Sequence, residues 1–132
     1  ALEGAGLAVH QNLVVELEDF TFELAGDALE SLWNQELKPD AIFCFADILA
    51  IGALHKAQKL GIKVPGELAI AGFGNDITGK YITPSITTMS QPSFEMGEFA
   101  ARNILNAVES EEELIMMEEK KILPTLVIRE ST

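Results

Sequence analysis

Apolar positions change their period several times along the chain. Between Thr21 and about Gln35, the residues Phe22, Leu24, Ala25, Ala28, Leu29, Leu32 and Trp33 recur at spacings of three and four, which predicts one helical stripe. Ahead of it, Asn12 to Glu16 (NLVVE) is short and β-branched and predicts a strand. Lys38-Pro39-Asp40 stops the helix, because proline disfavours helical geometry in the residue before it. Ala41 to Phe45 has no polar alternation, as expected of a strand covered on both faces of a parallel sheet. Ile48 to Leu60 predicts a second helix, with Asp47 as its N-cap and Gly61 just past its end. After the connector Ile62 to Glu67, Leu68 to Ala71 predicts another buried strand, and Gly72-Phe73-Gly74-Asn75-Asp76 a loop at its carboxyl end. Phe94, Met96, Gly97, Phe99, Ala100, Ile104, Leu105 and Val108 predict a third long helix over 93–108. A charged exit follows at Glu109 to Glu113, and Ile122 to Arg129 predicts an extended segment that Pro124 places near a sheet edge. This succession of strands and helices argues for an α/β fold with a parallel sheet and right-handed crossovers.

Composition narrows the partners. The 132 residues, 48% hydrophobic, suffice for one packed core. Nine basic residues against 21 acidic ones leave a net charge of −12, a surface that repels phosphate backbones and anionic membranes. The lone Cys44 has no internal disulfide partner and sits in an apolar run, the setting of an inert core thiol, consistent with a reducing cytoplasm. No apolar stretch reaches the roughly 18 to 20 residues of a membrane helix. Ala1 opens the chain in a helix-compatible run, which is expected of a cut rather than a natural terminus.

Catalytic and metal-binding patterns are sparse. His10 and His55 stand far apart with no ligand-spaced Cys or carboxylate beside them. Gly72-x-Gly74 begins like a dinucleotide fingerprint, but Ile77 stands where the third small residue belongs. Glu109, Glu111, Glu112 and Glu113, with Glu118 and Glu119, lack the glycine and alternating oxygen ligands of a calcium loop and read as a solvated segment. With no nucleophile, base pair or metal cluster, no enzyme, cofactor or metal is expected. What remains is a set of side chains at the carboxyl ends of the predicted strands, where open α/β sheets place ligands. Phe20 follows the first, Asp47 the second, and Asn75 and Asp76 the third. An aromatic face can pack on a sugar or base while amide and carboxylate groups bond to hydroxyls. Each also has a plainer reading, as a core plug, a helix cap or a turn.

Pro39-Asp40-Ala41-Ile42-Phe43-Cys44-Phe45-Ala46-Asp47-Ile48-Leu49-Ala50-Ile51-Gly52-Ala53-Leu54, Leu60-Gly61-Ile62-Lys63-Val64-Pro65, Ala69-Ile70-Ala71-Gly72-Phe73, Pro84-Ser85-Ile86-Thr87-Thr88, Gln91-Pro92, Leu123-Pro124 and Arg129-Glu130-Ser131 stand in an order that resembles the C-terminal part of the lactose/purine repressor family. The resemblance covers nearly the whole chain. It implies a three-layer, parallel-sheet sandwich, the C-terminal lobe of a type I periplasmic-binding-protein-like effector domain. It implies further that a helix-turn-helix and a first lobe precede this segment, and that helix 93–108 belongs to that first lobe.

By the same resemblance Phe20 stacks on a sugar-like effector, Asp47 caps its helix and lines the crevice, and Asn75 or Asp76 bonds to hydroxyls. The family usually has Asn-Asp at Ala46-Asp47, and Asp at the position of Gly74, so two customary polar contacts are replaced by small residues here. The family also dimerises through surfaces matched by Ile51, Leu54 and His55 and by Ile77 and Tyr81. The resemblance thus implies a cytoplasmic, homodimeric transcriptional regulator that touches DNA only through its missing N-terminal domain. The alternative is a periplasmic sugar-binding protein of a transporter, distinguished by a signal peptide in place of the helix-turn-helix.

Overall fold

The computed structural model describes residues 2–109 and 119–132. Two short 3-10 turns, Glu3–Ala5 and Gln11–Leu13, precede α1 (Phe22–Trp33), β1 (Ala41–Phe43), α2 (Asp47–Lys59), β2 (Ala69–Phe73), α3 (Thr78–Tyr81), β3 (Thr87–Ser90), α4 (Ser93–Glu109) and β4 (Thr125–Val127). The four strands form one sheet in the order β1-β2-β3-β4. The first three run parallel, with Phe43 opposite Ala71 and Phe73 opposite Met89, and β4 closes the edge antiparallel, with Met89 opposite Leu126. Thr21 starts α1 by accepting the Leu24 N–H at 3.2 Å. The end of α2 is marked by Gly61 at φ 73°, left-handed backbone that suits glycine.

The core lies between one sheet face and the α1/α2 pair. Leu29, Ala50, Ala53, Leu54, Ala57, Ile62, Leu68, Ile70 and Ile86 form it. Helix α2 lies close enough to α1 that a Cβ on Gly52 would sit 2.5 Å from the Phe22 carbonyl oxygen. Side chains alternate along a strand, so Ile42 and Cys44 pack on the core while Phe43 points to the other face. That other face carries no packed helix among the described residues: Phe43 is 64% exposed and Leu126 55%. The expectation that β1 is covered on both faces is therefore not met by the described residues. The predicted strand at Asn12 to Glu16 also does not form, since its first residues make a 3-10 turn and Val14 and Val15 run exposed and unpaired. Helix α4 forms as predicted but buries no residue, and Phe94, Ile104, Leu105 and Val108 all face solvent. The acidic segment at 110–118 lies outside the described residues.

The final residues lock the sheet. Ser131, fully buried, donates its hydroxyl to the Ile70 carbonyl at 2.6 Å and accepts the Thr87 N–H at 2.8 Å. Glu130 accepts from both the N–H and the hydroxyl of Ser85, which hold its carboxyl below the usual carboxylate range.

Candidate functional site

The carboxyl ends of β1, β2 and β3 are tied together by one buried carboxylate. Asp47 is 3% exposed, at the first residue of α2. One of its oxygens accepts the Asp76 N–H and the other the Thr88 hydroxyl, each at 2.6 Å. Gly72 is required at this joint, because a Cβ there would meet Asp47 Oδ1. The expected N-cap role is corrected: Ala46 occupies the cap position and no side chain bonds to the first turn of α2. Asp47 spends its carboxylate on the neighbouring loop and strand, an arrangement that still lets its charge face the helix N-terminus.

The loop after β2 is held just as closely. Asn75 stands at φ 58°, a left-handed conformation that asparagine tolerates better than most residues. Its N–H donates to Thr88 Oγ1, its side-chain amide donates to the Ser90 hydroxyl, and its Oδ1 accepts from the Arg129 guanidinium at 2.6 Å. Arg129 also donates to the Ile86 carbonyl, so it joins the loop to the end of the chain. Asp76 accepts the Thr78 N–H at 2.7 Å, and hydrogen bonds from the Thr78 side chain and backbone hold its carboxyl below the usual range. It remains exposed and ionised near neutrality.

Phe20 reaches this cluster through two other rings. Its centroid lies 6.1 Å from that of Phe45 at an interplanar angle of 46°, and Phe45 lies 6.3 Å from Phe73 with parallel planes. The structure therefore brings Asp47, Asn75 and Asp76 into one hydrogen-bonded joint, with Phe20 beyond the rings of Phe45 and Phe73. Of the sequence-predicted ligand residues, Phe20, Asn75 and Asp76 are exposed and Asp47 is buried. Sequence reading missed Phe45, Phe73, Thr88 and Arg129. Phe45 was concealed by its place in an apolar run; it lies two residues past the end of β1 and is 71% exposed.

Phe20 lines a cavity of about 300 Å³ together with Leu13, Val15, Leu17, Ile42, Phe43 and Phe45. Cys44 also borders it, but burial, and secondarily the charge of Asp47, push its thiol up to about 12. At pH 8 only about one thiol in 10⁴ is then the reactive thiolate. Native protein should resist iodoacetamide at this pH and react promptly in denaturant; equally fast labelling in both would contradict the placement. Among the described residues no group of three or more His, Cys, Asp or Glu is arranged to hold a metal ion, and no helix is long and apolar enough to cross a membrane.

Of the expected dimer surface, Ile77 is 65% and Tyr81 74% exposed. His55 is exposed and Ile51 half-buried. Leu54 is corrected: it is 2% exposed within the core and offers no surface to a partner.

The profile of the periplasmic binding protein-like domain family matches residues 1–132. The chain is 34% identical over 131 residues to the HTH-type transcriptional repressor PurR of Erwinia tasmaniensis, covering 99% of this chain and 38% of that protein. It is 35% identical over 111 residues to the HTH-type transcriptional repressor CytR of Escherichia coli, covering 84% and 32%. A transcriptional regulator of the LacI family from Sanguibacter keddieii superposes with a TM-score of 0.89 at 32% identity, covering 98% of this chain and 48% of that one. A CelR–cellobiose complex superposes with a TM-score of 0.81 at 26% identity, covering 99% and 39%. The chain thus spans about a third of the length of the curated relatives it matches.

Proposed function

Because this chain belongs to the periplasmic binding protein-like domain family and its relatives are lactose/purine-type repressors, we propose that it is the effector-sensing and dimerising lobe of a longer bacterial transcriptional regulator. The observation that carries the reading is the position of Phe20 and Asp76. Both stand accessible around the carboxyl ends of parallel strands, on a frame fixed by Asp47. The lobe is a binding element, not an enzyme, and works in the cytoplasm. A second lobe closes over a small effector, a sugar or sugar derivative, and the effector's unequal affinity for open and closed forms shifts the spacing of DNA-binding heads. Cellobiose in the CelR complex supports the carbohydrate class. The transporter reading loses its ground, since these relatives are repressors.

Two structural features fit this assignment. Helix α4, which buries nothing here, belongs to the first lobe, and its amides should be protected from hydrogen exchange only in the longer protein. Ile51, His55, Ile77 and Tyr81 form a self-complementary dimer surface. Tyr81→Asp should therefore convert a sedimenting dimer of the longer protein to monomer; an unchanged sedimentation coefficient would remove α3 from the interface. Leu54→Asp is no test of the dimer, because a charge there would disrupt the core.

The regulator assignment is tested by selecting duplexes from a randomised DNA pool with the full-length protein. Enrichment of a palindromic site is expected, as two-fold symmetry demands. Absence of any enriched sequence would overturn the assignment.

A further inference from the structure

Two consecutive residues of the loop after β2 hold backbone conformations with positive φ, Gly74 at 126° and Asn75 at 58°. Left-handed backbone is unfavourable for a residue that carries a Cβ, so bonds from outside the loop must keep Asn75 there. Asp76, the exposed carboxylate assigned above to the effector, is the next residue, and whatever fixes Asn75 also sets where Asp76 stands. Asp47 holds the Asp76 N–H from the core side.

Arg129 supplies the hold from the other side, and it is itself firmly placed. Its N–H donates to Thr87 Oγ1 at 2.8 Å, and the Ser131 N–H two residues on donates to the Ser85 carbonyl at 3.0 Å. The half-buried guanidinium is oriented by Nη1, which donates to the Ile86 carbonyl at 2.8 Å and leaves Nη2 to meet Asn75 Oδ1 at 2.6 Å. Ile86 in turn donates its N–H to the Gly79 carbonyl at 2.8 Å, so the same fork braces the base of α3. A planar guanidinium can serve two acceptors in fixed directions, which a lysine ammonium does not do. Because Ile86 already orders the side chain, the bond to Asn75 costs little further side-chain entropy, unlike that of an ordinary surface ion pair. Its charged donor makes it stronger than a neutral hydrogen bond.

We infer that Arg129 is the positioning residue of the effector loop: acting through Asn75 rather than by contact with a ligand, it holds the left-handed backbone that puts the Asp76 carboxylate in one place at the carboxyl ends of the strands. The role of Asp76 rests on the effector-binding reading above; the anchoring does not.

The test is hydrogen–deuterium exchange of the full-length protein, read on peptides spanning 74–78 beside peptides from α1 and α2. Arg129→Met should speed exchange over 74–78 about fivefold or more and leave α1 and α2 within twofold. Arg129→Lys, the milder change, should speed it too, and it decides the matter if Arg129→Met does not fold. In an Asn75→Gly background, which accepts the left-handed backbone but has no side-chain acceptor, either substitution at Arg129 should add nothing, because the bond it removes is already gone. Asn75→Asp, which keeps an acceptor for the guanidinium, should stay within threefold of wild type. Unchanged exchange over 74–78 in the Arg129 variants, or the same acceleration with and without the Asn75 side chain, would overturn the inference. Calorimetry with D-ribose, D-glucose and cellobiose gives the second readout. Any of these that the wild type binds should bind about fivefold or more weakly to the Arg129 variant, and unchanged affinity beside a loosened loop would overturn the positioning role. No binding of the three to wild type would count against the effector reading and not against the anchor, which exchange then decides.

Discussion

Gly72→Ala should destabilise the protein by about 3 kcal/mol, lowering the midpoint of thermal unfolding by about 10 °C. The added Cβ would overlap Asp47 Oδ1 and stand 3.1 Å from the Asp47 Cα, so a side-chain rotation alone does not make room. Displacing the carboxylate strips acceptors from the Thr88 hydroxyl and the Asp76 N–H together. Hydrogen bonds to a charged acceptor contribute about 1.5 to 3 kcal/mol each, and a buried donor left unpaired costs about as much. The variant should also lose effector affinity beyond what its lower stability explains, because Asp76 is placed by that same bond. An alanine variant with unchanged melting and binding would show that the joint does not set the loop.

Gly52→Ala acts on a different contact with a smaller effect. Its Cβ would lie 2.5 Å from the Phe22 carbonyl oxygen and 2.9 Å from the Phe22 Cα, both backbone atoms. Helices α1 and α2 must move apart, and Leu29, Ala53 and Leu54 between them and the sheet lose packing. Overpacking of this kind costs about 1 to 3 kcal/mol, against which alanine's better helix propensity returns about 1. A net loss of about 1 kcal/mol, and at most about 2, is expected in chemical denaturation. Gly97→Ala is the control: it lies in α4 with nothing within 4 Å, so alanine there should be neutral or slightly stabilising. Equal effects at both positions would contradict the close approach of α1 and α2.

Local signals served the reading of the fold well where local forces decide. Thr21 caps the start of α1, Asp47 and Gly61 lie within two residues of the limits of α2, and Pro124 immediately precedes the edge strand β4. Strand β3 escaped because Thr87-Thr88-Met89-Ser90 has no apolar alternation; Thr88 is buried through its bond to Asp47, a partner 41 residues away. Asn12 to Glu16 has strand composition but no neighbouring strand to pair with, and a strand exists only through its ladder. The site divides in the same way. Asp76 could be placed from its position after β2, whereas Phe20 is predicted after a strand at Asn12 to Glu16 that does not form, and its neighbourhood comes from the rings of Phe45 and Phe73 instead. The occupation of Asn75 by Arg129, 54 residues further on, could not be read from sequence, nor could the exposure of Phe45, whose neighbours Phe43 and Cys44 read as core.

A practical point follows for the acidic chain. Its net charge of −12 repels phosphate backbones, so in the proposed regulator DNA affinity is expected from residues other than these.

Calorimetric titration of the full-length protein with a panel of mono- and disaccharides and their glycosides, wild type beside Phe20→Ala, addresses the central claim most directly. The account predicts at least one ligand bound with one site per protomer and an affinity about tenfold or more weaker in the variant, which loses its stacking surface. Saturable binding of equal strength in both proteins, or no binding across the panel, would contradict it.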